Sequence, residues 1–479
     1  MLIRALICAA VLSFVPALVR AETPATQPLE QKLDAILYKL KDTGAIVSAR
    51  VVDASTGREL YARDADVPFT PASNLKLVSS SVALDLFGAD HQFETKAGLI
   101  GKDLVIIGTG DPATGDPMIL KKYNRTPNDL LDDWADELLK AGVKSVGSIQ
   151  FFDGAFDDQQ TCDRWDLDDM AFWYAAPIAG LNFNDNCIDI TVTPSTSGQP
   201  ATFEVYPVID PPTEVINTST TVASKDDEDW DAGRYPVRDV YWVKGKVFKA
   251  RQENCPVPDP GRFFALALKA RFHAKGIDVT GPIVRLSKAP EKFDRELTPI
   301  RTQMVDILAR VNKNSQNLLA EGLSKAGGRE FARQGGHDVP GSWAEGEKAA
   351  RAFFKKNGID DSKFVLDDGS GLSHKNKVTT HLLSDLLLTM YRHKDGEVFR
   401  NSLGIAGVDG TAHARFKEFP YRVYAKTGYI NGVRAYSGYV KTDSGKWVIF
   451  SIIYNNIPGK VKPYEALQDE ACRELMGVK

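Results

Sequence analysis

The chain has little that suits a metal or redox centre. Five cysteines and seven histidines are scattered over 479 residues, with no C-x-x-C pair and no H-E-x-x-H arrangement, so no metal site is expected. Runs of lysine or arginine are missing too, and the net charge is −4, which leaves no basic surface for nucleic acid. One glycine-rich loop, GTGDPATG at 108–115, invites a nucleotide. It lacks the Walker Lys-Ser/Thr pair and the spaced third glycine, and no cofactor is expected. After the N-terminus no apolar run reaches the roughly 20 residues that span a bilayer, and no fixed-period repeat is visible.

What is present belongs to an ordinary globular protein: 43% apolar and 25% charged residues, close to the soluble average. The length exceeds the size at which one core keeps growing, so two or more domains are expected. The opening MLIRALICAAVLSFVPALVRAETPA has an early Arg4, an apolar run and a Val19-Arg20-Ala21 end. It reads as a secretory signal (1–21) cut after Ala21 rather than an anchor, because Pro16 and Arg20 cut the run short. The mature chain is therefore expected to be secreted across the inner membrane, into the periplasmic or cell-wall space, with no membrane span. Cys162, Cys187, Cys255 and Cys472 remain, and an oxidising compartment permits one or two disulfides. Cys162 with Cys187 is the preferred pair, since both lie in one segment.

Residues 45–62 read as a strand, a Ser55-Thr56-Gly57 turn and a second strand. A buried helix is predicted over 73–87, with Pro71 at its start, Leu75, Val78, Val82 and Leu86 at helical spacing, and Gly88 at its end. Three strands follow near the far terminus in RVYAKTGYI, VRAYSGYVKT and KWVIFSIIYNN, and the tail 463–476 reads as a helix. Between the ends, 94–290 changes to short β-like runs broken by Asp, Pro and Gly, which suggests an inserted, mostly β region. Its acidic loop SKDDEDWDAGRYP reads as solvated surface.

FTPASNLKLVSSS, at 69–81, carries the chemistry. Residues three apart on a helix share a face, so Lys76 can reach Ser73. A serine needs a base to become a nucleophile, and a lysine serves once burial and a nearby positive charge disfavour its ammonium form. A helix start also offers free N–H groups to an oxyanion. The spacing alone is weak, since chance supplies about one or two such pairs in a chain of this size. Two further elements strengthen it: Ser315-Gln316-Asn317, and Lys426-Thr427-Gly428 opening a predicted strand. S-x-x-K, S-x-N and K-T-G in that order form the penicillin-binding protein and β-lactamase set.

With IGTGDP (107–112), YAAPIAGLNFNDN (174–186), DDGSGLSHKNKVT (367–379) and AGVDGT (406–411) beside these motifs, nearly the whole mature chain resembles the class C low-molecular-mass penicillin-binding proteins. These are the S13 D-alanyl-D-alanine carboxypeptidases and endopeptidases. The resemblance implies an α/β (α+β) chain: a β-lactamase/transpeptidase-like domain at 22–93 and 291–479, with an antiparallel sheet flanked by helices. The mostly β insertion at 94–290 would form two small domains. The implied partners are peptidoglycan stem peptides ending in D-Ala-D-Ala, with β-lactam antibiotics as covalent inhibitors.

By the same resemblance Ser73 is the nucleophile, Lys76 its proton acceptor, and Ser315 the relay to the departing amine. Asn317 contacts the substrate amide and places Lys76; Lys426 and Thr427 attract the substrate carboxylate. Gly428 completes that substrate-binding motif, and the N–H groups of Ser73 and Tyr429 form the oxyanion hole. Relatives commonly carry Ser or Thr where Tyr429 stands, which puts a side-chain hydroxyl near the carboxylate in question. Arg434 reads as a surface salt bridge, and Asp367 with Asp368 as turn residues. A non-catalytic cell-wall scaffold and a β-lactamase are the competing functions. Intact motif residues weigh against the first, and the long insert against the second.

Overall fold

The computed structural model describes residues 28–236 and 238–478; the expected signal segment lies outside them. Among the described residues no helix is long and apolar enough to cross a membrane. The strand Trp447–Asn455 organises one half of the molecule. Its sequence is apolar on both faces, the pattern of a strand covered on both sides. It sits inside a six-stranded sheet in the order Gly404–Ile405, Val423–Ile430, Val433–Lys441, Trp447–Asn455, Ile46–Asp53, Glu59–Arg63. Neighbouring pairs are antiparallel, and Ile46–Asp53 runs against the late strand from Ile46↔Asn455 to Asp53↔Val448. The two ends of the chain are thus woven into one sheet.

One face packs Phe450, Ile452 and Tyr454 against the helices Leu29–Leu37 and Lys462–Met476 through Leu33, Leu37, Leu467 and Leu475. The other face, with Ile449 and Ile453, meets a helical layer around Lys76–Phe87. That helix is buried from Lys76 to Leu84, its three serines included, as befits an interior element. It is enclosed by Met304–Lys313, Asn317–Gln334, Trp343–Lys356 and Thr380–Arg392. The helix predicted over 73–87 begins as a 3-10 turn, Ala72–Leu75, and becomes α-helical only at Lys76. Ala72 has φ +47°, a left-handed value that no α-helix accommodates.

A second core gathers residues between Ala97 and Ile300. A second sheet runs Ile283–Arg285, Ile149–Phe152, Asp103–Gly108, Gln92–Ile100, and gains Arg295–Glu296 and Ile300–Gln303 along the far edge of Gln92–Ile100. The helices Pro127–Lys140 and Pro260–Lys275 pack on it through Leu131, Trp134, Phe264 and Leu268. Two three-stranded sheets stand beyond it, one centred on Cys187–Thr193 and one on Val240–Lys244. In the acidic loop Lys225, Asp226 and Asp227 are exposed, while Trp230 packs on this core.

The expected Cys162–Cys187 disulfide is corrected: all four described cysteines are free and buried. The Cys162 thiol is turned onto Asp367, with Sγ 3.4 Å from Oδ2. Cys187 and Cys255 lie on paired strands, but the register sets Cys187 against Pro256 and Cys255 against Ile188. Their side chains therefore leave opposite faces of the sheet, which rules out that pairing too.

The Val433–Lys441 strand approaches its neighbour so closely at Gly438 that an added Cβ would stand 2.1 Å from the Tyr424 carbonyl oxygen. Gly438→Ala is expected to cost about 1–3 kcal/mol through overpacking. Thermal unfolding should show it as a Tm several degrees lower.

Candidate active site

Three separate stretches of chain deliver the motifs to one point. Ser73 is half-buried in the 3-10 turn, and Lys76 follows it fully buried at the first α-helical position. Two glycines let other elements close on this turn. A Cβ on Gly371, which has φ +86°, would lie 1.9 Å from the Ala72 carbonyl oxygen, and one on Gly428 would lie 2.9 Å from that of Pro71. Asn455 clamps the approach, accepting from Thr70 N at 2.8 Å and donating to Thr70 O at 3.0 Å. Asn74 donates to Ser437 Oγ at 2.7 Å, which ties the turn to the middle of the sheet.

Ser315 lies between two helices with φ +60°, and Asn317 opens the helix Asn317–Gln334. Buried ion pairs hold this junction to Asp116 and Asp185. Arg310 donates to Asp116 at 2.7 Å and to Asp185 at 2.8 Å, and Gln316 donates to Asp185 at 2.9 Å. Lys426 projects from the strand Val423–Ile430 and is fully buried.

The sequence-predicted residues therefore meet. Lys76 Nζ lies 3.0 Å from Ser73 Oγ, 2.7 Å from Asn317 Oδ1 and 2.8 Å from the Ser370 carbonyl oxygen. Asn317 Nδ2 donates to the Tyr174 carbonyl at 2.7 Å, which fixes the amide so that its oxygen faces Lys76. Lys426 Nζ donates to Ser315 Oγ and to the Thr427 carbonyl, both at 2.8 Å. Thr427 shares a 2.7 Å hydroxyl bond with Thr411. Tyr429 is 58% exposed, so its phenol reaches outward and not into the lysine cluster.

The charges are tuned by burial. Desolvation pushes the Lys76 ammonium down to about 7, although the Glu321 and Asp368 carboxylates pull the other way. Lys426 is pushed well below the ordinary lysine range, by burial first and then by the positive charges of Lys76 and Arg434. An ammonium donates three hydrogen bonds, whereas a free amine donates two and accepts one. Asn317 Oδ1 and Ser370 O can only accept. The Ser73 hydroxyl can accept from an ammonium or donate to a free amine, so the cage accommodates the lysine in either form.

Arg434, expected as a surface salt bridge, is only 14% exposed in its side chain and pairs with Glu465 of the C-terminal helix. Asp367 and Asp368 do build a turn. Asp368 accepts from Gly371 N at 2.7 Å, Ser373 N at 2.6 Å, Asn376 Nδ2 at 2.8 Å and Trp165 Nε1 at 3.0 Å. The sequence reading missed the burial of Asp368 and Glu321 altogether, and it quoted the stretches that hold Ser370 and Tyr174 without giving either a role. Glu321 left a signal: a lone acid in the apolar run LLAEGL, four residues after Asn317.

Comparison with known proteins follows the same lines. Residues 29–471 match the family described as D-Ala-D-Ala carboxypeptidase 3 (S13). A D-alanyl-D-alanine carboxypeptidase from an Actinomadura species is 31% identical over 476 residues, covering 93% of this chain and 84% of that protein. D-alanyl-D-alanine carboxypeptidase DacB of Haemophilus influenzae is 24% identical, over 80% of each chain. The crystal structure of penicillin binding protein 4 from the same organism superposes with a TM-score of 0.77 at 22% identity, covering 94% of this chain and 99% of that one. It shares this fold.

Because Gly371 is packed on the nucleophile turn, Gly371→Ala is expected to shift Ala72 and Ser73 and to lower reactivity at Ser73 by at least about tenfold, as small misplacements of a reacting group do. The check is the rate of labelling by a fluorescent penicillin, read beside circular dichroism to confirm folding.

Proposed function

The chain belongs to the D-Ala-D-Ala carboxypeptidase 3 (S13) family, and from that premise we propose how its site works as a serine-type D-Ala-D-Ala carboxypeptidase and endopeptidase. The observation that carries the proposal is the Lys76 amine: fully buried, 3.0 Å from Ser73 Oγ, and hydrogen-bonded to no carboxylate. Such an amine is a base in waiting.

Ser73 Oγ attacks the carbonyl carbon of the penultimate D-alanine as its proton passes to Lys76 Nζ. The resulting oxyanion rests on the N–H groups of Ser73 and Tyr429, each worth on the order of 3 kcal/mol in comparable sites. When the intermediate collapses, the C–N bond breaks and the departing amine takes the proton that Lys76 received, which leaves Lys76 neutral for the second step. Ser315 is placed to relay that proton, because its hydroxyl accepts from Lys426 and keeps its own O–H to donate. Water then attacks the acyl-Ser73 ester by the reverse path, and the free acid leaves. The terminal carboxylate of the substrate fits beside Lys426 and Thr427. In a cross-linked substrate the leaving amine belongs to a second stem peptide, which makes the same chemistry an endopeptidase reaction. A β-lactam presents the same carbonyl in a ring, so its leaving group stays tethered and the acyl-enzyme persists. A crystal structure of the Haemophilus protein is itself described as a complex with a β-lactam. Secretion into the periplasmic or cell-wall space, by the N-terminal signal, brings the enzyme to this substrate.

Release of D-alanine from a peptide ending in D-Ala-D-Ala tests the scheme. Ser73→Ala should abolish it, and Lys76→Ala should lower it by about 10²- to 10⁴-fold, the usual worth of general acid–base help. With Lys76 pushed down to about 7, its free base dominates above that pH. The rate should therefore rise with pH through about 7 and fall away below it as the ammonium forms. Undiminished release by Ser73→Ala would end the scheme.

A further inference from the structure

Lys76 has an acidic neighbour that the reaction scheme does not use. Glu321 stands one helical turn beyond Asn317, on the same helix, and is fully buried. Its carboxylate accepts from Gly369 N, from Ser370 N at 3.0 Å and from Trp343 Nε1 at 2.7 Å. Ser370 in turn gives its carbonyl to Lys76 Nζ at 2.8 Å. One residue of the loop therefore bridges acid and amine. Asp368 sits in the same loop, but its oxygens are taken by Gly371, Ser373 and Asn376 of its own turn and by the Trp165 indole from elsewhere in the chain. Glu321 is the acid that arrives from outside the loop, on the helix that also supplies Asn317.

We propose that Glu321 is a positioning residue of the reaction: its carboxylate holds Ser370 against Lys76, and its charge governs the pH at which Lys76 becomes a free base. Both parts follow from a buried acid facing a buried amine across one residue, where low dielectric makes their charges count. The groups around the pair are few. Lys76 faces Lys426 from the strand, Asp368 from the loop and Glu321 from the helix. Glu321 faces Asp368, Lys76 and, one turn further along its helix, Lys325, which is held by Asp157 and lies over the Trp343 ring. Burial and the Asp368 charge raise the Glu321 carboxyl above the usual range, while the N–H groups of Gly369, Ser370 and Trp343 favour its ionised form.

The inference rests on Lys76 being the proton acceptor, and the pH profile of D-alanine release separates the two. Glu321→Gln keeps the shape and removes the charge that favours the ammonium. Its acid limb should move to lower pH by about one unit, in keeping with the loss of a nearby opposite charge, and should fit a single ionisation. Trp343→Phe removes one donor and leaves the loop backbone untouched. Losing that donor favours the neutral acid, so the limb should move the same way by less. A purely structural Glu321 would lower the rate and leave the limb in place. An unmoved limb in Trp343→Phe and in folded Glu321→Gln overturns the inference, and if Glu321→Gln fails to fold, Trp343→Phe decides alone. Wild-type enzyme with no acid limb, or Lys76→Ala with undiminished activity, would instead overturn the role given to Lys76.

Discussion

The structure turns on one constraint: an amine shut off from the surface and hydrogen-bonded to no carboxylate must stand beside a serine hydroxyl. Isolated ammonium groups are strongly disfavoured in protein interiors, where the usual response is loss of the proton. In the proposed scheme this response makes Lys76 a base. The buried helix that Lys76 opens supplies the enclosed surroundings, and Asn317 and Ser370 supply acceptors for two N–H bonds. The remaining lone pair is left for Ser73.

Keeping water out requires three elements to meet at backbone distance, which explains the glycines around the site. Gly371 and Gly428 touch the carbonyls of Ala72 and Pro71 from opposite elements. Either Cβ would lever open the contact that encloses Lys76. The same need accounts for the depth of anchoring: Asn455 and Asn74 tie the nucleophile turn to the sheet, while Arg310, Asp116, Asp185 and Gln316 tie the Ser315 junction to the inserted region. The insert also reaches the site directly, because the Tyr174 carbonyl orients Asn317.

Much of this was legible in the chain. The both-faced apolar strand Trp447–Asn455, the apolar helix after Lys76 and the order of the three motifs announce a two-sided sheet, an interior helix and a serine–lysine site. Local features less visible in sequence were misread. A left-handed Ala72 made the start of the predicted helix a 3-10 turn, since the backbone there answers to Gly371 across the site and not to its own neighbours. Cys162 looked pairable with Cys187 because the two are close in sequence, yet Cys162 is turned onto Asp367, some two hundred residues later in the chain. Glu321 escaped notice for a related reason: a single acid in an apolar helix has meaning only once Gly369, Ser370 and Trp343 are seen to surround it.

The central claim is that Ser73 is a nucleophile made reactive by a neutral Lys76. Its most direct test is the intact mass of the wild-type protein and of Ser73→Ala after incubation with benzylpenicillin. A stable gain of one penicilloyl group in the wild type, absent from Ser73→Ala, is the expected result. An unmodified wild-type protein with the penicillin intact, or an adduct that survives in Ser73→Ala, would contradict it.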